Sequence, residues 1–106
     1  YTMESARAAG YSPVFGKIKD LTHFDWFPGG SAITVTVIAD SKTGLVLGAQ
    51  AVGTAGATWR VSVVSTAIRG KLTLAELSDV ELAYCPPLSQ TYDPLTKAVD
   101  FAIRKR

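Results

Sequence analysis

Two runs of strand-forming residues, 31–40 and 45–52, are separated only by Ser41-Lys42-Thr43-Gly44. A connection this short, with a glycine available for positive φ, joins two strands as an antiparallel hairpin. In the first run Ile33, Val35, Val37 and Ala39 alternate with Ala32, Thr34, Thr36 and Ile38, which is the period of a strand with one apolar face. Gly48 inside the second run marks a bulge or a close backbone approach. An antiparallel sheet follows, and the rest of the chain has to supply the layer that covers it.

Helical segments supply that layer. Thr2 to Ala9 reads as a short helix with Thr2 as its cap, Glu4 in its first turn and Gly10 just past its end. After the hairpin, Ala57, Val61, Val64 and Ile68 recur at a helical period, and Gly70 ends that helix. Thr73-Leu74-Ala75-Glu76 is a capping-box sequence opening a second, short helix. Asp93 caps a last helix with Pro94 in its first position, and Leu95, Ala98, Val99, Ala102 and Ile103 form its apolar stripe. Val14 to Leu21 reads as an edge strand guarded by Lys17 and Lys19. Val80 to Tyr84 reads as a further strand, ended by Pro86-Pro87. The expected fold is α+β, an antiparallel sheet with helices packed on one face.

Composition narrows the function classes. The 106 residues fit one domain, and 47% are apolar, as in an ordinary globular chain. No apolar run approaches the ~20 residues of a membrane helix, and no secretory signal pattern opens the chain. Eleven basic against nine acidic residues leave +2, with the positives dispersed except for Arg104-Lys105-Arg106, so no basic stripe for nucleic acid is present. The single cysteine, Cys85, excludes an internal disulfide and suits a reducing, cytoplasmic compartment.

Three motifs invite chemistry and are met by plainer readings. Ala51-Val52-Gly53-Thr54-Ala55-Gly56, with Glu76 further on, approaches a dinucleotide fingerprint. It lacks the first glycine and follows a hairpin strand, not a parallel βαβ unit. His23, the only histidine, stands with Asp25 among Phe24, Trp26 and Phe27, but no spacing joins it to Cys85. Cys85 could serve a stand-alone thiol enzyme or redox sensor, although no cation or adjacent helix start is evident to stabilise a thiolate. The cysteine and histidine count is too low for zinc. Trp59 lies beside the helical stripe, not on it, with Arg60 next to it. This residue pair is typical of interface anchors, and a partly exposed Trp packing on its own sheet is an equal reading of it.

Several stretches together resemble one known family. Asp40-Ser41-Lys42-Thr43-Gly44-Leu45-Val46-Leu47-Gly48-Ala49-Gln50-Ala51-Val52-Gly53 is similar to the hairpin of the C-terminal dimerisation domain of pyridine nucleotide-disulfide oxidoreductases. Leu72-Thr73-Leu74-Ala75-Glu76-Leu77 resembles that domain's loop and short helix. Thr2-Met3-Glu4-Ser5-Ala6 through Gly10-Tyr11 resembles its helix, and His23 to Gly30 its aromatic turn. Leu82-Ala83-Tyr84-Cys85-Pro86-Pro87-Leu88-Ser89 resembles the Tyr-Ala-Pro-Pro stretch of the NADH oxidase and coenzyme A-disulfide reductase branch. Cys85 stands where relatives commonly have alanine.

The resemblance implies a non-catalytic interface domain that forms a homodimer. It implies FAD and NAD(P)H bound by other domains of a parent flavoprotein and no cofactor in this stretch. It implies a role for Tyr84 at the partner subunit's active site, with Trp59, Arg60, Tyr84, Pro86 and Pro87 at the interface. The branch with a His-Glu acid–base pair does not fit, because Tyr84-Cys85-Pro86-Pro87 occupies that stretch. The family's domain begins with a strand before its first helix, so a trimmed piece of a longer chain is expected here.

Overall fold

The computed structural model describes residues 1–21, 31–80, 82 and 92–106. In chain order the elements are α1 (Met3–Ala8), β1 (Pro13–Leu21), β2 (Ala32–Asp40), β3 (Val46–Gly53), α2 (Ala57–Arg69), α3 (Leu74–Ser78) and α4 (Pro94–Arg104). The strands form one antiparallel sheet in the order β1-β2-β3. No helix among the described residues is long and apolar enough to cross a membrane.

The main core lies between one face of this sheet and the helices α2, α3 and α4. Ile33, Val35, Val37 and Ala39 meet Val64 and Ala67 from α2, Leu74 and Leu77 from α3, and Leu95, Ala98, Val99 and Ala102 from α4. The alternation in 31–40 therefore selects the buried face as expected. The remaining helix, α1, adds a small cluster of its own, in which Ala6 packs with Ile38 and Leu47. Ile38 points away from Val37 and Ala39 on the pleat, so α1 partly covers the opposite face.

Helix ends follow their local chemistry. Thr2 accepts a hydrogen bond from Ser5 N at 3.1 Å, and Ser5 Oγ accepts from Thr2 N at 2.8 Å, which closes a capping box. Gly10 takes φ +94°, and Tyr11 N donates to Ala6 O across the end of α1. The Thr73–Glu76 capping box forms as expected. Past Gly70, however, Lys71 takes the left-handed conformation at φ 56°. Leu72 N then donates to Ala67 O at 2.9 Å and closes α2.

Gly48 serves both purposes that its position allowed. The β2–β3 register shifts between Ile38, opposite Gly48, and Ala39, opposite Val46, so Leu47 is the extra residue of a bulge. A Cβ on Gly48 would also lie 1.9 Å from the carbonyl oxygen of Tyr1, whose backbone nitrogen donates to Leu47 O. The strand expected over 80–84 is not seen at Val80 or Leu82; residues 81, 83 and 84 lie outside the described set.

The hairpin turn is held by Asp40, which is 4% exposed. Its carboxylate accepts from Thr43 Oγ1 at 2.8 Å, from Thr43 N at 3.1 Å and from Ser12 N at 3.1 Å. The Thr43 hydroxyl, and then the Ser12 amide, hold this carboxyl below its ordinary value of 3.8 against the opposing effect of burial. A pKa lowered by folding stabilises the native state above the unfolded value and loses that contribution as pH falls through the folded value. Asp40→Asn is therefore expected to lower the thermal midpoint at pH 7. The gap from the native chain should then narrow as pH falls below about 4. Melting curves from pH 7 to 2 check this, and a gap that stays constant contradicts it.

Candidate functional site

The sequence placed Trp59 and Arg60 together at an interface, and the structure separates their roles. Trp59 is half-buried and borders an open groove along α2, lined by Gly56, Thr58, Trp59, Ser62, Val63 and Thr66. Arg60 is fully buried within the chain. The expected stripe 57/61/64/68 is rotated accordingly. The buried residues of α2 are Arg60, Val64 and Ala67, whereas Ala57 and Val61 are half-buried and Ile68 is exposed.

Arg60 is held by a partner from the far end of the chain. Its Nε donates to Asp93 Oδ2 at 3.0 Å and its Nη2 to Asp93 Oδ1 at 2.7 Å, a bidentate fork. Its Nη1 donates to Gly56 O at 2.9 Å, at the left-handed residue that opens α2. The guanidinium carbon lies 4.2 Å from the centre of the Trp59 ring. Asp93 is 2% exposed and also caps α4, accepting from Leu95 N at 2.9 Å. The cap was legible in the sequence; the ion pair was not, because no local pattern links residues 33 positions apart.

Asp93 follows, in sequence, the stretch that contains the Tyr-Cys-Pro-Pro run. Tyr92, just before Asp93, donates its hydroxyl to Asp100 on α4, and Asp100 also accepts from Ser78 Oγ of α3 at 2.7 Å. The Asp100 carboxylate, by accepting the hydrogen bond of this hydroxyl, raises the Tyr92 pKa. On the other side, Leu82 packs against the main core. The sequence candidates Tyr84, Cys85, Pro86 and Pro87 lie outside the described residues, as do His23 and the aromatic turn around it. Among the described residues, no group of three or more His, Cys, Asp or Glu is placed to hold a metal ion.

The glycine-rich turn does not form a dinucleotide cradle. The strand that leads into it, β3, runs antiparallel to its neighbour, and no parallel βαβ unit is present among the described residues. The carbonyl of Gly56, the residue that opens α2, receives the Arg60 guanidinium.

Comparison with known proteins agrees with this architecture. Residues 1–95 match the family described as pyridine nucleotide-disulphide oxidoreductase, dimerisation domain. An NADH oxidase of Methanocaldococcus jannaschii is 36% identical over 92 residues, covering 87% of this chain and 20% of that protein. A coenzyme A disulfide reductase of Staphylococcus haemolyticus is 34% identical over 90 residues, covering 73% of this chain and 20% of that protein. The chain thus spans about a fifth of the length of these relatives. Among solved structures, an NAD-dependent persulfide reductase from A. fulgidus superposes over the whole chain with a TM-score of 0.93 at 29% identity, again covering 20% of that protein. The sheet, the helical layer and the sequence match over residues 1–95 agree: the chain belongs to the dimerisation-domain family of the pyridine nucleotide-disulphide oxidoreductases.

Proposed function

We propose that this chain is the interface domain of a larger FAD- and NAD(P)H-dependent oxidoreductase of the NADH oxidase or coenzyme A-disulfide reductase kind. It joins two copies about a twofold axis and places Tyr84 at the partner subunit's active site. The observation that carries this reading is the family match, which runs through Tyr84-Cys85-Pro86-Pro87, together with relatives named for both activities. A twofold dimer is built from one self-complementary patch. The groove beside Trp59 and the stretch holding Tyr84, Pro86 and Pro87 are the surfaces assigned to it.

On this reading, flavin and nicotinamide are bound by other domains of the parent protein. Within this chain the available chemistry is that of a phenol. A phenol donates a hydrogen bond or a proton, and that is the role given to the Tyr84 hydroxyl. Such a donor, held at a thiolate or peroxide oxygen, assists protonation of the leaving group. The alternative of a stand-alone thiol protein using Cys85 finds no support among these relatives.

Tyr84→Phe in the full-length enzyme is the test. Turnover is expected to fall by about a hundredfold, in the range of general acid–base contributions, with flavin content and dimerisation unchanged. Unaltered steady-state kinetics would remove Tyr84 from the mechanism.

A further inference from the structure

From Ala57 to Ile68 the only charged residue of α2 is Arg60, and Arg60 is buried. The exposed positions Thr58, Ser62, Ser65, Thr66 and Ile68 therefore present a helix surface without charge. A helix that faces water normally carries charged residues on that side, whereas the centre of a protein interface is depleted in them. Two features of unlike shape lie along this surface. Trp59 borders the open groove, half-buried, with the Arg60 guanidinium 4.2 Å from the centre of its ring. That guanidinium is itself tied to Asp93 and to Gly56 O, so the indole is backed by a rigid plane. Next to the groove, sharing Val63 and Thr66 with it, is an apolar hollow of about 190 Å³ completed by Ala67, Leu72, Leu77 and Val80.

We propose that this surface docks on the same surface of a second copy, with Trp59 of each copy seated in the hollow of the other. The proposal rests on the reading of the chain as an interface domain and names the contact that joins its two copies. A twofold dimer is closed by one self-complementary patch, and a projection with a matching recess on the same face is such a patch. Trp59, Val63 and Thr66 follow one another at i, i+4 and i+7 on one stripe of α2. Thr66 lies about 10 Å beyond Trp59 along the helix, at about 1.5 Å per residue. Two α2 helices packed antiparallel about a twofold axis between Ser62 and Val63 bring residue 59 of each copy opposite residue 66 of the other, because both pairs share one midpoint. Ser62, at that axis, is small and lets the helices approach. Tryptophan in a well-packed apolar recess is also among the side chains that most often carry interface binding energy.

The test is the subunit affinity of the full-length protein, measured by sedimentation with one component labelled. Trp59→Ala is expected to raise the dissociation constant by about a thousandfold, about thirtyfold for each of two equivalent anchors. Thr66→Arg, at an exposed position, closes both recesses and is expected to weaken the homodimer at least as much. Mixed, the two variants form a heterodimer that keeps one native indole in one native recess and sets the missing indole against the closed recess. That heterodimer is expected to be only about thirtyfold weaker than the native dimer, so mixing restores association. Native-like affinity of Trp59→Ala overturns the proposal. A mixture that associates no more tightly than either variant alone also overturns it, and assigns the hollow to another occupant, such as a neighbouring domain of the parent protein. A native protein that stays monomeric overturns the interface-domain reading itself, a separate result seen before any variant is made. If Thr66→Arg does not fold, Val80→Arg closes the recess from its exposed rim. The same order of affinities is expected there, and its absence overturns the proposal in the same way.

Discussion

Arg60→Met alone is expected to destabilise the domain by about 3–5 kcal/mol, the cost of removing one partner from a fully desolvated ion pair. The substitution leaves the Asp93 carboxylate 2% exposed and without its fork, with Leu95 N as a remaining donor. It also frees Gly56 O and removes the support beneath Trp59. The loss is a large share of the ~5–15 kcal/mol that holds a domain together. Adding Asp93→Asn should recover most of it, since a neutral amide caps α4 without a stranded charge. Urea unfolding of the two variants gives the answer. If the single variant unfolds within about 1 kcal/mol of the native chain, the pair is not the strained element that its burial implies.

This pair also shows where sequence reading stops. In α4, Asp93, Pro94 and the residues 95, 98, 99 and 102 all lie within a few turns, so cap, start and most of the buried face could be read together; Ile103, expected on the same stripe, is exposed in the last turn. The alternating run of β2 was legible for the same reason. The buried face of α2 was misplaced because periodicity counts apolar side chains, and a buried arginine enters that count as a surface residue. Its burial depends on a carboxylate distant in sequence, and only the folded chain brings the two together. Gly48 was flagged correctly as a special position, but the sequence could not say that a bulge and the Tyr1 backbone both meet there. The family motifs pointed to the Tyr84 stretch, while the contacts of Tyr92, Asp93 and Leu82 emerge only from packing.

Gly16→Ala is expected to have the other large effect on stability, about 3 kcal/mol or more, at or beyond the upper end of overpacking costs. Gly16 lies in β1 with an ordinary backbone conformation, so the cost is one of space, not of φ. A Cβ there would stand 1.9 Å from Ala98 O and 2.4 Å from Ala102 N, both backbone atoms of α4. No side-chain truncation on α4 relieves such a contact, so Ala102→Gly should fail to rescue the variant. The helix would instead have to move off β1 by more than an ångström, loosening Leu95, Ala98, Val99 and Ala102 in the core. That shift would also pull Lys97 from its pairing with Asp20. Gly10→Ala provides the contrast. Nothing lies within 4 Å of its added Cβ, and the cost is confined to φ +94°, about 1–2 kcal/mol. A Gly16→Ala chain that melts no lower than Gly10→Ala would show that α4 can yield to β1, contrary to the close-packed contact described above.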